Sequence, residues 1–141
     1  MISRNNLKLT LAGAKAMLAA AEKKAAALEV PQCIAVVDEG GYLLAFARMD
    51  GAKLSSVQVA ITKAVSAATR RAATGPVPSA EKMNVVLSLG LPLATEGRLT
   101  PIRGGLPIVV EGQVVGGVGV SAGTEDQDVE VAQAALTAVK A

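Results

Sequence analysis

Two apolar β-hairpins limit this chain to folds that contain an antiparallel sheet. Each hairpin is predicted from two apolar arms that flank a short turn containing glycine. In the first hairpin the arms are residues 32–38 and 42–49 and the turn is 39–41. In the second the arms are residues 107–110 and 114–121 and the turn is 111–113. Because such short connections join antiparallel strands, the four arms predict antiparallel pairing.

Helices are predicted before, between and after the hairpins. The predicted helices are residues 11–28 with Thr10 as N-cap, about 54–70, a shorter helix that Ser79 caps and that ends at 89, and a final helix that Thr124 starts with a capping box to Gln127. Hairpins that alternate with helices in this order predict an α+β fold, a sheet flanked by helices. No linker or repeat divides the sequence, so we predict one domain over residues 1–141.

The core is expected to consist of small side chains. Of the 141 residues 51% are hydrophobic, but Tyr42 and Phe46 are the only aromatic residues. Small side chains bury little area each, so burial between subunits would compensate for them. We therefore predict a homo-oligomer.

Composition argues against several functional classes. The formal net charge is +2 with no long basic run, which argues against nucleic-acid binding. No signal peptide or membrane span is recognisable, so we predict a cytoplasmic protein that does not bind membranes. Histidine is absent and Cys33 is the only cysteine, which excludes an intramolecular disulfide and argues against a metal site.

The glycine-rich segment before the last helix is not a dinucleotide loop, although Gly117, Gly119 and Ala122 fit G-x-G-x-x-A. Too few residues follow for a β-α-β unit, and Glu125 and Asp126 would repel a phosphate at the helix start. We interpret these glycines as strand positions that admit a close neighbour, whether a helix, another subunit or a flat ligand. The acidic residues 125–130 are expected on the exposed side of the helix.

Two cationic side chains are candidates for a ligand site. Lys63 lies in a helix made mostly of alanine and valine, so it either extends its amine to water or presents it to a pocket as an anion anchor. Arg48 ends the second arm of the first hairpin. It either pairs with Asp38 or Asp50 or holds a carboxylate.

A glycine pair before the second hairpin is a third candidate. Gly104 and Gly105 follow Arg103 and precede a strand. They form a bulge or tight bend, or they offer backbone N–H groups to an anionic ligand.

Taken together, the stretches "VVDEGGYLLAFARMDGA", "VAITKAVSAA" and "IRGGLPIVVEGQVVGGVGVSAGTEDQDVEVAQAAL" resemble the GlcG/HbpS-like haem-binding family, which includes the C-terminal domain of PduO-type proteins. The resemblance implies a profilin-like α/β/α sandwich with a five-stranded antiparallel sheet, assembly into oligomers that are often octamers, and a place in a catabolic operon. It also implies haem or a related tetrapyrrole as a ligand, near Lys63 and the Gly104–Gly105 segment. Without histidine, Tyr42, Lys63 or Met49 would have to bind the iron.

The leading functional hypothesis is an accessory binding protein of a catabolic pathway. Lys63, Arg48 and Arg103 would supply positive charge to a small anion or tetrapyrrole, and Gly104 and Gly105 would supply backbone donors. An enzyme acting on a small carboxylate or carbonyl compound, with Lys63 or a carboxylate as base, is the alternative. A structural partner of a larger catabolic complex is a third hypothesis.

Overall fold

The computed structural model describes residues 1–139. Its elements are α1 (Leu11–Ala27), β1 (Cys33–Asp38), β2 (Leu43–Arg48), α2 (Ser56–Arg70), α3 (Val85–Ala94), β3 (Gly105–Val110), β4 (Gln113–Ser121) and α4 (Glu125–Leu136). The predicted order of helices and hairpins is confirmed. Both predicted helix starts at Thr10 and Thr124 are also confirmed, and Thr124 and Gln127 form a complete capping box.

The four strands form one antiparallel sheet in the order β2-β1-β4-β3. Side chains alternate between its faces, as the two-residue period of a strand requires. On β1, Ile34 and Val36 join the cluster that contains buried residues of α1 and α4, whereas Ala35 and Val37 join the cluster built on α2. The sheet is therefore sandwiched between α1 with α4 on one face and α2 on the other.

The family resemblance implies five strands, and this expectation is wrong: the described residues form four. The segment before β3 pairs with side chains instead of joining the sheet. Thr100 donates its N–H to Ser66 Oγ, Ile102 donates its N–H to Thr100 Oγ1, and Pro101 has no N–H to donate. These bonds, one of them to Ser66 on α2, hold the segment in bends, so β3 remains an edge strand.

Helix α3 does not lie where the sequence predicts it. Ser79 does accept a backbone hydrogen bond from Lys82 at 3.1 Å, but it closes a local turn and starts no helix. Asn84 is the N-cap, since its side chain accepts the Leu87 N–H at 2.9 Å. The helix then continues through Pro92 to Ala94, beyond its predicted end at residue 89.

Glycines in β4 allow α2 to lie directly against the sheet. A Cβ on Gly119 would collide with the Ala60 carbonyl oxygen, and a Cβ on Gly117 would collide with the Ala64 carbonyl oxygen. The close neighbour of these glycines, which the sequence left open, is therefore a helix. No helix within residues 1–139 is long and apolar enough to cross a membrane.

Candidate functional site

Lys63 points into the protein at the end of the sheet where β4 stops. The alanine-rich side of α2 faces the sheet, and it carries Lys63 inward with it. The side chain is 1% exposed, and Nζ donates to the Val120 carbonyl oxygen at 2.8 Å and to Asp128 Oδ2 at 2.9 Å. The amine is thus an internal ion-pair partner and does not extend to water.

Asp128 corrects the interpretation of the acidic segment that begins α4. We expected residues 125–130 on the exposed side of the helix, but Asp128 is only 3% exposed. Its Oδ1 accepts the Gly123 N–H at 3.0 Å while Oδ2 binds Lys63. Asp128 therefore joins α4 to both α2 and the end of β4.

Gln32 completes this buried polar cluster and leaves its amide nitrogen without an acceptor. Its Oε1 accepts the Gly123 N–H at 3.1 Å, which fixes the amide orientation because exchanging O and N would place two donors together. Its Nε2 is buried and donates to no acceptor among residues 1–139. A buried donor without an acceptor costs about 1–3 kcal/mol, so an acceptor supplied to Gln32 Nε2 would stabilise this end of the sheet.

Gly104 and Gly105 lie beside Lys63, as the sequence reasoning required. A Cβ on Gly104, whose φ is +124°, would lie 2.8 Å from Lys63 Nζ, and a Cβ on Gly105 would collide with the Lys63 carbonyl oxygen. The Gly105 N–H donates to Thr74 Oγ1 at 2.9 Å, and the Gly105 carbonyl oxygen accepts from the Thr74 N–H at 2.9 Å. Close packing thus accounts for the glycine pair. The Gly105 N–H, predicted as a ligand donor, is taken by Thr74, and ligand binding by the Gly104 N–H stays a prediction.

Arg103 forms the charged rim of the same corner. Its guanidinium Nη1 donates to Asp126 Oδ1 at 2.7 Å, and this hydrogen bond raises the pKa of Arg103 above its ordinary, already high value. The Arg103 side chain is 39% exposed. Arg103 therefore remains charged and accessible beside the buried cluster.

Arg48 lies at the same end of the sheet but not in the same corner. It sits on edge strand β2 opposite Cys33, whereas β3 forms the other edge, three strand spacings or about 14 Å away. Among the described residues no carboxylate lies within salt-bridge distance of Arg48, so neither Asp38 nor Asp50 pairs with it. The structure brings together Lys63, Arg103, Gly104 and Gly105, and leaves Arg48 apart.

Cys33 is a free cysteine and is buried. Burial raises the pKa of its thiol, and the charge of Arg48 lowers that pKa by a smaller amount. A thiol of this kind is a poor nucleophile.

The three candidate iron ligands occupy different environments. Tyr42 is 70% exposed and lies at the β1–β2 turn, the far end of the sheet from Lys63. Met49 follows β2 at the near end, packs partly on the core, and donates its N–H to the Gln32 carbonyl oxygen at 3.0 Å. Since Lys63 is engaged by Asp128 and Tyr42 lies at the far end, Met49 is the remaining candidate, and its backbone is bonded to that of Gln32.

A cleft lies at the opposite end of the molecule from Lys63. Its volume is about 440 Å³, and Lys8, Glu39 and Arg71 are among the residues that line it. None of the site residues predicted from the sequence contributes to it. Within residues 1–139 no group of three or more cysteine or acidic side chains is placed to hold a metal ion.

Comparisons with known proteins agree with this architecture. The model of a family described as "Haem degrading protein HbpS-like" matches residues 9–137. An uncharacterised 15.0 kDa protein from the dhaT-dhaS intergenic region of Citrobacter freundii is 41% identical over 128 residues, 91% of this chain and 89% of that protein. Protein ORFY of Klebsiella pneumoniae is 38% identical with a TM-score of 0.86, covering 98% of this chain and 95% of that one. A PduOC:heme complex is 30% identical with a TM-score of 0.82, and the match covers 94% of this chain and 96% of that one.

Proposed function

Because this chain belongs to the HbpS-like family, we propose that it is a binding protein for a small carboxylate-bearing ligand, with haem as the first candidate. One observation carries the proposal. The buried Nε2 of Gln32, beside the Lys63–Asp128 pair, lacks an acceptor among the described residues. A carboxylate oxygen from a ligand would supply that acceptor.

Arg103 supports recognition of a carboxylate at this corner. A guanidinium has five N–H donors, and the bond to Asp126 uses one nitrogen of the fork. The remaining donors can bind a second carboxylate, such as a haem propionate, at the rim. Lys63 acts indirectly, because it holds Asp128 and with it the Gly123 backbone in place.

Met49 is the residue we assign to haem iron. A thioether is a known axial haem ligand, and Met49 lies next to Gln32 at the end of the sheet that carries Arg103. A bound haem would supply redox chemistry or gas binding. The chain would contribute the iron ligand and the N–H groups that donate to the haem carboxylates. The relatives support haem as the first ligand to test, since one is solved as a PduOC:heme complex and the family description concerns haem degradation.

The cellular setting and assembly belong to the same proposal. An accessory role in a catabolic pathway, a cytoplasmic location and self-association based on dimers, up to an octamer, all remain predictions. The alternative of an enzyme that uses Lys63 as base gains no support from this geometry, because its Nζ already donates to two acceptors and is buried.

Titration with haemin, followed through the Soret absorption band, tests the site. We expect a saturable shift, a different Soret position in Met49→Leu, and about tenfold weaker binding in Arg103→Gln, which corresponds to the loss of about 1.4 kcal/mol. Tyr42→Phe is the matched control, because Tyr42 lies at the other end of the sheet and its removal should change nothing. Absence of a saturable shift contradicts haem binding. A shift that Tyr42→Phe abolishes and Met49→Leu preserves contradicts the site.

A further inference from the structure

Helix α3 is the most apolar exposed surface among the described residues. From Met83 to Thr95 the sequence has no charged residue. Val86 and Leu93 are 83% and 84% exposed, and Leu89 is 59% exposed. A helix that is apolar on all sides normally lies inside a protein, so this helix lacks part of its surroundings.

The side of α3 that faces the rest of the chain is anchored by one polar residue, with Leu91 and Pro92 half-buried beside it. Ser88 is its only buried residue. The Ser88 hydroxyl accepts the Val77 N–H at 3.0 Å and donates to the Val77 carbonyl oxygen at 3.4 Å. Anchoring through Ser88 directs the large apolar side chains of α3 away from the sheet.

The exposed side of α3 carries both a hole and the side chains that could fill one. An open groove of about 410 Å³ runs along it, lined by Asn84, Val86, Leu87, Gly90, Leu91 and Ala94. Apart from the two adjacent residues and the backbone of α3 itself, no atom lies within 4 Å of where a Cβ of Gly90 would be. Leu93, three residues after Gly90 and therefore its neighbour on the helix surface, is exposed beside this gap. Helices that pair in this way insert side chains of one into holes of the other.

This pattern fits a second copy of the same helix better than other occupants. In a two-fold pair the same surface must supply hole and projection on both subunits, and α3 has both. Antiparallel pairing also brings Glu81 and Lys82, just before one helix, towards Glu96 and Arg98, just after the other, so each acidic residue has a basic residue of the other copy within its end of the pair. A membrane-surface helix instead requires a face rich in lysine or arginine, which α3 lacks.

We propose that two copies of this chain associate through antiparallel pairing of their α3 helices, with Gly90 close to the two-fold axis. This inference rests on the self-association proposed above and is independent of haem. It names the surface that joins the subunits, and it explains why a ten-residue helix exposes valine and leucine.

Gly90→Leu tests the pairing without weakening the helix. Leucine fills the gap that a partner side chain would enter, yet it favours helix more than glycine does, so loss of association cannot be ascribed to unfolding of α3. Native mass spectrometry and light scattering should show the unmodified chain as dimers or multiples of dimers. They should show Gly90→Leu and Leu93→Glu at half that mass or less. Leu54→Glu is the control, since Leu54 is 72% exposed and lies outside α3.

A cross-link gives a second measurement. Gly90→Cys should form a disulfide-linked dimer on oxidation, because residues next to a two-fold axis face their own copies, whereas Leu54→Cys should not. If the chain is oligomeric and neither α3 variant lowers its mass, self-association stands and the α3 surface is wrong. If the unmodified chain is monomeric, both are wrong. Binding of the monomer to lipid vesicles would identify a membrane as the occupant and overturn the pairing.

Discussion

At the scale of single residues, Lys63 and Asp128 matter most because both are charged and nearly inaccessible to solvent. Taking two charges out of water costs several kcal/mol for each, and their attraction offsets this only when their other donors and acceptors are also bonded. Here Val120 and Gly123 supply those bonds. The pair therefore fixes α2, β4 and α4 at one point, and its net contribution to stability is modest while both partners are present.

Removing one partner of this pair should destabilise the fold strongly. Asp128→Asn keeps the shape of the side chain but leaves the Lys63 ammonium without a counter-charge. We expect the free energy of unfolding to fall by about 3 kcal/mol or more, measured by urea denaturation. The double variant Lys63→Met with Asp128→Leu should recover most of that loss, since no buried charge remains.

Arg103→Gln is the surface control for this experiment. The Arg103–Asp126 pair has similar geometry, but the Asp126 side chain is 88% exposed, so its loss should cost less than about 1 kcal/mol. If Asp128→Asn costs no more than Arg103→Gln, the buried pair has no structural role.

The inward direction of Lys63 could be suggested from the sequence, because alanine and valine surround it on the helix. Asp128 could have been identified in the same way, since Val131, Ala132 and Ala135 follow it at helical spacing on the buried side of α4. Grouping Asp128 with its acidic neighbours concealed that pattern. Gln32 gave no local signal, because its cluster forms only when β1 pairs with β4 and brings it to Gly123.

At the scale of elements, the contact between α2 and β4 depends on glycine more than on large apolar side chains. Ala60 and Ala64 on α2 face Gly119 and Gly117 on β4, so the helix backbone lies directly over the strand. A single methyl group added to the strand has no free volume to enter. The helix would have to move as a unit, because the nearest atoms belong to its backbone.

Gly119→Ala should therefore destabilise the protein by about 3 kcal/mol or more, the upper range for adding a methyl group to a packed core. Thermal and urea unfolding monitored by circular dichroism measure this change. Gly75→Ala is the matched control, because the nearest atom to a Cβ at Gly75 is Arg103 Cγ at 3.7 Å, an ordinary contact. Equal stability of the two variants would contradict the close approach of α2.

Hairpins and long helices could be predicted because each is specified by nearby residues: glycines in the turns, apolar residues along the strand arms, and N-cap residues at the helix starts. In the β3–β4 turn, for example, Glu111 and Gly112 both have positive φ, at 50° and 74°, as a two-residue hairpin turn requires. The start of α3 could not be predicted, because Ser79 and Asn84 each bond a backbone N–H three residues ahead and only Asn84 is followed by a helix. The number of strands depended on the bond from Thr100 to Ser66, which joins distant parts of the chain.

At the scale of the whole molecule, the core is made of small side chains, as the composition predicts. Ten of the 22 buried apolar residues in the described part of the chain are alanine. Each alanine buries little area, so the hydrophobic contribution per residue is small. Meanwhile Val86, Leu89 and Leu93 on α3 are exposed to solvent, and pairing of two α3 helices would add their burial to that of the core.

Stability should consequently depend on protein concentration. If only folded chains associate, association draws the equilibrium towards the folded state, so Tm rises with concentration. Calorimetric melts across a wide range of concentration should show this rise for the unmodified chain and a constant Tm for Gly90→Leu. At the lowest concentration Gly90→Leu should melt no earlier than the unmodified chain, because replacing glycine inside a helix removes a cost of about 1 kcal/mol. A constant Tm for both proteins would mean that the alanine-rich core is stable without a partner, and α3 would then be exposed for another reason.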